Sequence, residues 1–270
     1  MPLPLVIEPS QLAAELHNPA LLILDLSSED NYQLAHIPGA MRVDPGRLLC
    51  GKQPVPNKLP DSTQLSALFS ELGLSKDRHV VVYDDQNGAL AGRMIWTLHC
   101  VGHTACSFLN GLLHSWKAAD LPLETTANTA QRTDFQAQIN SELVADIPFI
   151  NSQQNNPDSC IWDARSKAEY DGEKVVNAQK GGHIPGACWF EWTDALDPDN
   201  HLRLKPRDTL LALLAARGIT PDKHIITHCQ THRRSGLTYL VACHLGFEHV
   251  RCYDGSWFEW GNHPDTPVEH

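Results

Sequence analysis

Two tandem α/β domains, each a parallel sheet flanked by helices, are what the sequence predicts, on three observations. Apolar runs of strand length alternate with helical patterns, the signature of a parallel sheet covered on both faces. The chain repeats itself at a spacing near 145 residues, seen in His79 and His224, which marks a domain duplication rather than a short solenoid repeat. Its 270 residues, 42% of them hydrophobic, exceed the usual size of one domain and can fill two cores.

In the first half the pattern predicts a helix over Gln11 to His17 with Ser10 as its N-cap, then a strand over Leu21 to Asp25. A helix over Ser62 to Leu72, a strand over His79 to Tyr83, a helix over Gly92 to Val101 and a strand over Ala105 to Leu109 follow. In the second half Pro206 to Arg217 and Gly236 to Leu245 read as helices and His224 to Thr227 as a strand. The copies match residue for residue in several places. Leu22-Ile23-Leu24-Asp25, Tyr32 and His36-Ile37-Pro38-Gly39-Ala40 recur as Cys160-Ile161-Trp162-Asp163, Tyr170 and His183-Ile184-Pro185-Gly186-Ala187. The second copy carries an insertion between its Tyr and its His, within Asp171 to Gly182, which reads as a loop. Domains are placed at 1–124 and 142–270, with the polar, aperiodic stretch 125–141 as linker.

The segment Cys229-Gln230-Thr231-His232-Arg233-Arg234 follows an apolar strand and precedes a helix. Turn N–H groups, the positive end of the helix and two guanidinium groups all favour an anion there, so Cys229 is the candidate thiolate nucleophile. Ligands of α/β sheets sit beyond the carboxyl ends of the strands, where this cysteine lies. The first copy has Asp84 at the matching position and so lacks the nucleophile.

Net charge of −11 and a pI near 5.7 argue against nucleic acid or an anionic membrane as partner, because phosphate is bound through an excess of Lys and Arg. The stretch Met1 to Glu8 lacks a basic leader region, and no apolar run reaches the roughly 18 residues that span a bilayer. Eight scattered cysteines without a secretory signal read as reduced thiols, so a soluble cytoplasmic protein is expected. Cys106 and Cys243 lie inside element patterns and read as small buried apolar residues.

The duplicated segments, the silent first copy and the single cysteine opening a six-residue loop resemble the tandem-domain rhodanese family, the thiosulfate:cyanide sulfurtransferases, over essentially the whole chain. The loop is similar to that of a bacterial subgroup with Cys-Gln-Thr-His openings. The resemblance implies two rhodanese-like domains, the first catalytically inactive. It implies that Cys229 takes the outer sulfur of thiosulfate as a persulfide, releases sulfite and hands the sulfur to cyanide or a thiol acceptor, small or protein-borne. Arg234, Arg233 and His232 would orient the donor, and the backbone of Gln230, Thr231 and the rest of the loop would hold the anions. Arg165 and Trp192 are candidate pocket residues, Arg165 having a surface ion pair as its alternative. No cofactor and no metal is implied.

One departure concerns the donor. Family members commonly carry an arginine just before the aromatic residue at position 170, and this chain has Glu169; the loop also lacks the glycine-rich openings of mercaptopyruvate sulfurtransferases. Thiosulfate or a protein persulfide is therefore the expected donor. Rival readings are a persulfide carrier that delivers sulfur to a partner protein and a Cys-dependent phosphatase or arsenate reductase. The phosphatase motif sets its arginine one residue further on, where this chain has Ser235. His228, Cys229 and His232 form a cluster that zinc or copper would accept, but two adjacent arginines set fixed positive charge against a cation. His228 matches Tyr83 and reads as structural, as do His36, His183, Asp25 and Asp163, which recur in both copies.

Overall fold

A computed structural model describes residues 3–270; Met1 and Pro2, which open the N-terminal stretch read above, lie outside the described residues. The chain divides into two compact units. Of the described residues, the first holds 3–50, Leu59–Asn140 and Asp197–Leu204; the second holds Gly51–Lys58, Ser141–Leu196 and Lys205–His270.

In the first unit the elements run β1 (Val6–Ile7), α1 (Pro9–Glu15), β2 (Leu21–Asp25), α2 (Glu29–Leu34), β3 (Met41–Arg42), α3 (Ser62–Glu71), β4 (His79–Tyr83), α4 (Ala89–Cys100), β5 (Cys106–Leu109) and α5 (Leu112–Ala118). The sheet order is β1-β5-β4-β2-β3, with every pairing parallel. The second unit repeats this with β6 (Val144–Ala145), α6 (Ile147–Gln153), β7 (Ser159–Asp163), α7 (Lys167–Tyr170) and β8 (Cys188–Trp189). The chain then runs through the short strands β9 (Leu196–Asp197) and β10 (Arg203–Leu204), with Asp197–Leu204 counted in the first unit, and the second unit resumes with α8 (Arg207–Ala215), β11 (His224–His228), α9 (Arg234–His244), β12 (Val250–Tyr253) and α10 (Ser256–Trp260). Its order is β6-β12-β11-β7-β8, again parallel. β4 and β11 are the central strands, and runs such as Val80-Val81-Val82 are fully buried because helices cover both faces.

Three helix starts differ from the sequence expectation by two residues or more. α1 begins at Pro9 with Glu8 as its cap, because the Gln11 side chain accepts from Glu8 N (2.8 Å) in a capping box, and Ser10 falls inside the helix. α4 begins at Ala89 because Gly88, at φ +89, turns the chain into the helix. α9 begins at Arg234, so the second arginine is already helical.

The repeated turn is built identically in both units. The His36 ring stacks on Tyr32 (3.8 Å between centroids) and its Nδ1–H donates to the Tyr32 carbonyl at 2.6 Å, while Tyr32 OH donates to Ala40 O at 2.8 Å. His183 does the same on Tyr170 (3.7 Å stack, 2.9 Å bond), with Tyr170 OH on Ala187 O at 2.7 Å. Gly39 and Gly186 sit at φ +80 and +75, which L side chains disfavour. Residues 125–140, expected as linker, lie in the first unit: Ser66 and Ser70 of α3 take the backbone N–H groups of Ala137 (2.9 Å) and Phe135 (3.0 Å). A polar stretch finds its obligatory backbone partners on a helix face in this way.

Candidate active site

β11 ends at His228, and Cys229 follows at the carboxyl edge of the central strand, 1% exposed. The loop from 229 to 233 curls back to start α9, with His232 at φ +53. Its outer side is gripped by the start of α10: Trp257 N donates to Cys229 O and Phe258 N to Gln230 O, each at 2.9 Å. Cys229 N donates to Ser256 Oγ at 3.4 Å, and that hydroxyl donates to Tyr253 O at 2.9 Å.

Burial by itself would raise the Cys229 thiol. The Arg234 charge, the Ser235 hydroxyl and the backbone N–H groups of Ser235 and Thr231 outweigh it and hold the thiol below the ordinary cysteine value. With the Ser235 hydroxyl donating to sulfur, its oxygen accepts from His232 Nδ1–H at 2.7 Å. The first N–H groups of a helix have no partner inside it, and α9 turns one of them, Ser235 N–H, on the sulfur. The site therefore favours the thiolate over the thiol and surrounds the sulfur with donors able to hold negative charge.

Arg234 is not an open cation. Its two terminal nitrogens fork onto Glu169, Nη1 to Oε2 at 2.7 Å and Nη2 to Oε1 at 2.9 Å. Burial opposes ionisation of Glu169, but the hydrogen bonds and charge of Arg234, together with Ser166, push its carboxyl down to about 2. Arg233 is exposed, Thr231 half-buried and His232 fully buried. The Gln230 side chain donates to Val176 O in the insertion loop. Trp192 is half-buried on a 3-10 turn (Trp192–Ala195) that packs against α9.

Arg165 is neither a surface ion pair nor an open pocket cation: it is 1% exposed. Its Nη2 and Nε reach Asp163 at 2.6 and 3.0 Å, Nη2 also donates to Gly182 O at 2.8 Å, and the guanidinium lies over the Trp257 ring at 4.2 Å. Asp163 also lies 3.6 Å from His228 Nε2, whose other nitrogen is 3.3 Å from Cys229 O. Asp163 and His228 thus brace the loop after β11 where the first copy pairs Asp25 with Tyr83. Burial pushes the His228 imidazole below its ordinary value, against the Asp163 charge. Removing Asp163 strands a buried guanidinium, so Asp163→Ala is expected to cost about 3–5 kcal/mol in denaturant unfolding.

The first copy fills its own cradle. Asp84 Oδ1 accepts from Gln86 N (2.9 Å) and Gly88 N (2.8 Å), and Oδ2 from Leu90 N and Ala91 N (2.7 Å each). A carboxylate stands there where the second unit has a thiol.

The roles of Ser235, Ser256 and Glu169 in this arrangement are not visible in the motif. Ser235 carried a signal as the second residue of a helix opening on the cysteine; Ser256 and Glu169 are remote in sequence. Among the described residues no helix is long and apolar enough to cross a membrane. No group of three or more His, Cys, Asp or Glu among them is placed to hold a metal ion.

The chain matches the rhodanese-like domain family over residues 8–119 and 150–263. It is 49% identical over 267 residues to the thiosulfate sulfurtransferase of Azotobacter vinelandii, covering 99% of this chain and 97% of that one. It is 30% identical to the sulfur carrier protein TtuD of Thermus thermophilus, covering 94% and 92% of the two chains. The crystal structure of SseA, a 3-mercaptopyruvate sulfotransferase of Escherichia coli, superimposes with a TM-score of 0.85 at 31% identity, covering 94% of this chain and 99% of that one.

Proposed function

The chain belongs to the rhodanese family, and from that premise we propose that it is a thiosulfate sulfurtransferase working through a Cys229 persulfide. The observation that carries the reading is a buried thiol whose pKa is lowered by Arg234, Ser235 and the loop N–H groups, against the effect of burial. The Cys229 thiolate attacks the outer sulfur of thiosulfate; the S–S bond breaks, sulfite leaves with the bonding pair, and the sulfur stays on the enzyme as a persulfide. Cyanide or a thiol then attacks that outer sulfur and restores the thiolate. Donors facing the sulfur stabilise the persulfide anion as they do the thiolate. The donor is drawn by Arg234 and by Arg233 at the loop's exposed edge, while His232 acts through Ser235. Thr231 contributes its N–H, Gln230 ties the loop to the insertion, and Trp192 walls the approach. Arg165 acts beneath the site as a brace. The second unit is the catalytic domain and the first the silent one, with the cytoplasm as a reducing compartment suited to eight cysteines that form no disulfide.

Similarity to a sulfur carrier protein favours one second reading, that the persulfide is delivered to a partner protein. Persulfide that forms without steady-state release of sulfite in the presence of cyanide supports the carrier; sustained release supports the enzyme. Hydrolysis of an aryl phosphate, lost in Cys229→Ser, would overturn both.

Arg234→Ala should reduce kcat/KM for thiosulfate by about 10- to 100-fold, the size of one charge-assisted interaction. The sign of its pH effect follows from the thiol. Activity needs the thiolate and is lost as pH falls through the Cys229 pKa; removing Arg234 raises that pKa, so the acid limb of the rate profile moves to higher pH. An unshifted limb contradicts the role given to Arg234.

A further inference from the structure

Glu169 carries more than the start of α7. Its Oε2 accepts from Ser166 Oγ (2.8 Å) and Ser166 N (3.3 Å), which fixes the carboxylate on its own helix, and its side chain is 5% exposed. From there it fills the two-pronged edge of the Arg234 guanidinium, at 2.7 and 2.9 Å. That edge is the one an oxyanion uses. Arg234 keeps 24% of its side-chain surface open, so a second anion can reach it only by sharing or displacing Glu169.

Resting on the sulfur-transfer reading, we propose that Glu169 determines how tightly the site holds anionic donors, because it competes with them for Arg234. Other charged groups face the same guanidinium. Asp163 at the end of β7 is one, and Arg165 already neutralises it. Glu191, ahead of the 3-10 turn, is another; burial and the neighbouring Asp194 push its carboxyl up. Cys229 is the third. Among the described residues Glu169 alone is forked to Arg234. With it in place the pair is neutral, and the donor meets less positive charge than the sequence advertises.

Glu169→Gln removes the charge but leaves an oxygen for Ser166, so the helix start is kept. The probe is inorganic sulfate, read by its protection of Cys229 against iodoacetamide, which requires no turnover. Protection should occur at about tenfold lower sulfate in the variant, KM for thiosulfate should fall in step, and the pH midpoint of alkylation should move down. Glu169→Asp, which keeps the charge but is one methylene short of the fork, should fall between, and it supplies the test if the glutamine variant does not fold. Sulfate protection that is unchanged or weaker in the variants overturns the proposal and leaves the fork as a clamp. Tighter sulfate protection in an enzyme that never turns over thiosulfate sinks the sulfur-transfer reading while the role of Glu169 stands.

Discussion

Cys229→Ser loses thiosulfate:cyanide activity by at least about a thousandfold, a barrier increase of about 4 kcal/mol. A serine hydroxyl stays protonated under conditions that ionise this thiol, and the Arg234 charge and loop N–H groups cannot bridge that gap. The fold should be retained: the replacement is small, the site is polar, and Ser235 and the N–H groups of Thr231 and Ser235 can still bond to an oxygen at that place. Thermal unfolding within a few degrees of the parent, with no turnover, is the expected pair of results. Residual activity near the parent's would place the sulfur chemistry on another group.

Asp84→Ala acts on stability. Four backbone N–H groups lose their acceptor at a residue that is 1% exposed, and each orphaned buried donor costs about 1–3 kcal/mol before relaxation and water entry reduce the sum. A loss of about 3–5 kcal/mol in the earliest denaturant transition is expected. Asp84→Asn, which keeps one acceptor oxygen but turns an amide N–H₂ toward the other donors, should lose about half as much. Asp84→Cys should acquire no persulfide from thiosulfate, since no arginine follows within the loop from Asp85 to Gly88. A stable Asp84→Ala protein would mean that water satisfies the cradle equally well, and persulfide on a cysteine at this position would mean that the backbone suffices without the arginines.

Much of this was legible in the chain. β2 and β4 stand at their expected bounds because a doubly covered parallel strand is a closed apolar run, and Leu21–Asp25 and His79–Tyr83 are such runs. Two-residue strands such as β3, β6 and β8 carry no periodicity and exist only through their neighbours. The correspondence of Cys229 with Asp84, each at the end of its central strand, was readable because the repeat aligns the two. That the Asp84 carboxylate gathers four N–H groups was not, since donors that converge from a loop and a helix start leave no pattern in residue types. The pairing of Glu169 with Arg234 joins residues 65 apart in sequence; the composition showed an unusual acid and an expected base, but not that they meet. Arg165 misled for the opposite reason: an arginine two residues beyond a strand end reads as exposed, whereas Asp163 and Trp257 make it a buried brace.

The central claim is that one sulfur atom passes through Cys229. Intact mass of the protein after incubation with thiosulfate and removal of excess donor tests it most directly, followed by addition of cyanide. The account predicts one added sulfur per chain, mapped to the peptide containing Cys229, discharged by cyanide and absent in Cys229→Ser. An added sulfur that persists in Cys229→Ser, or none in the parent while thiocyanate is still produced, contradicts it.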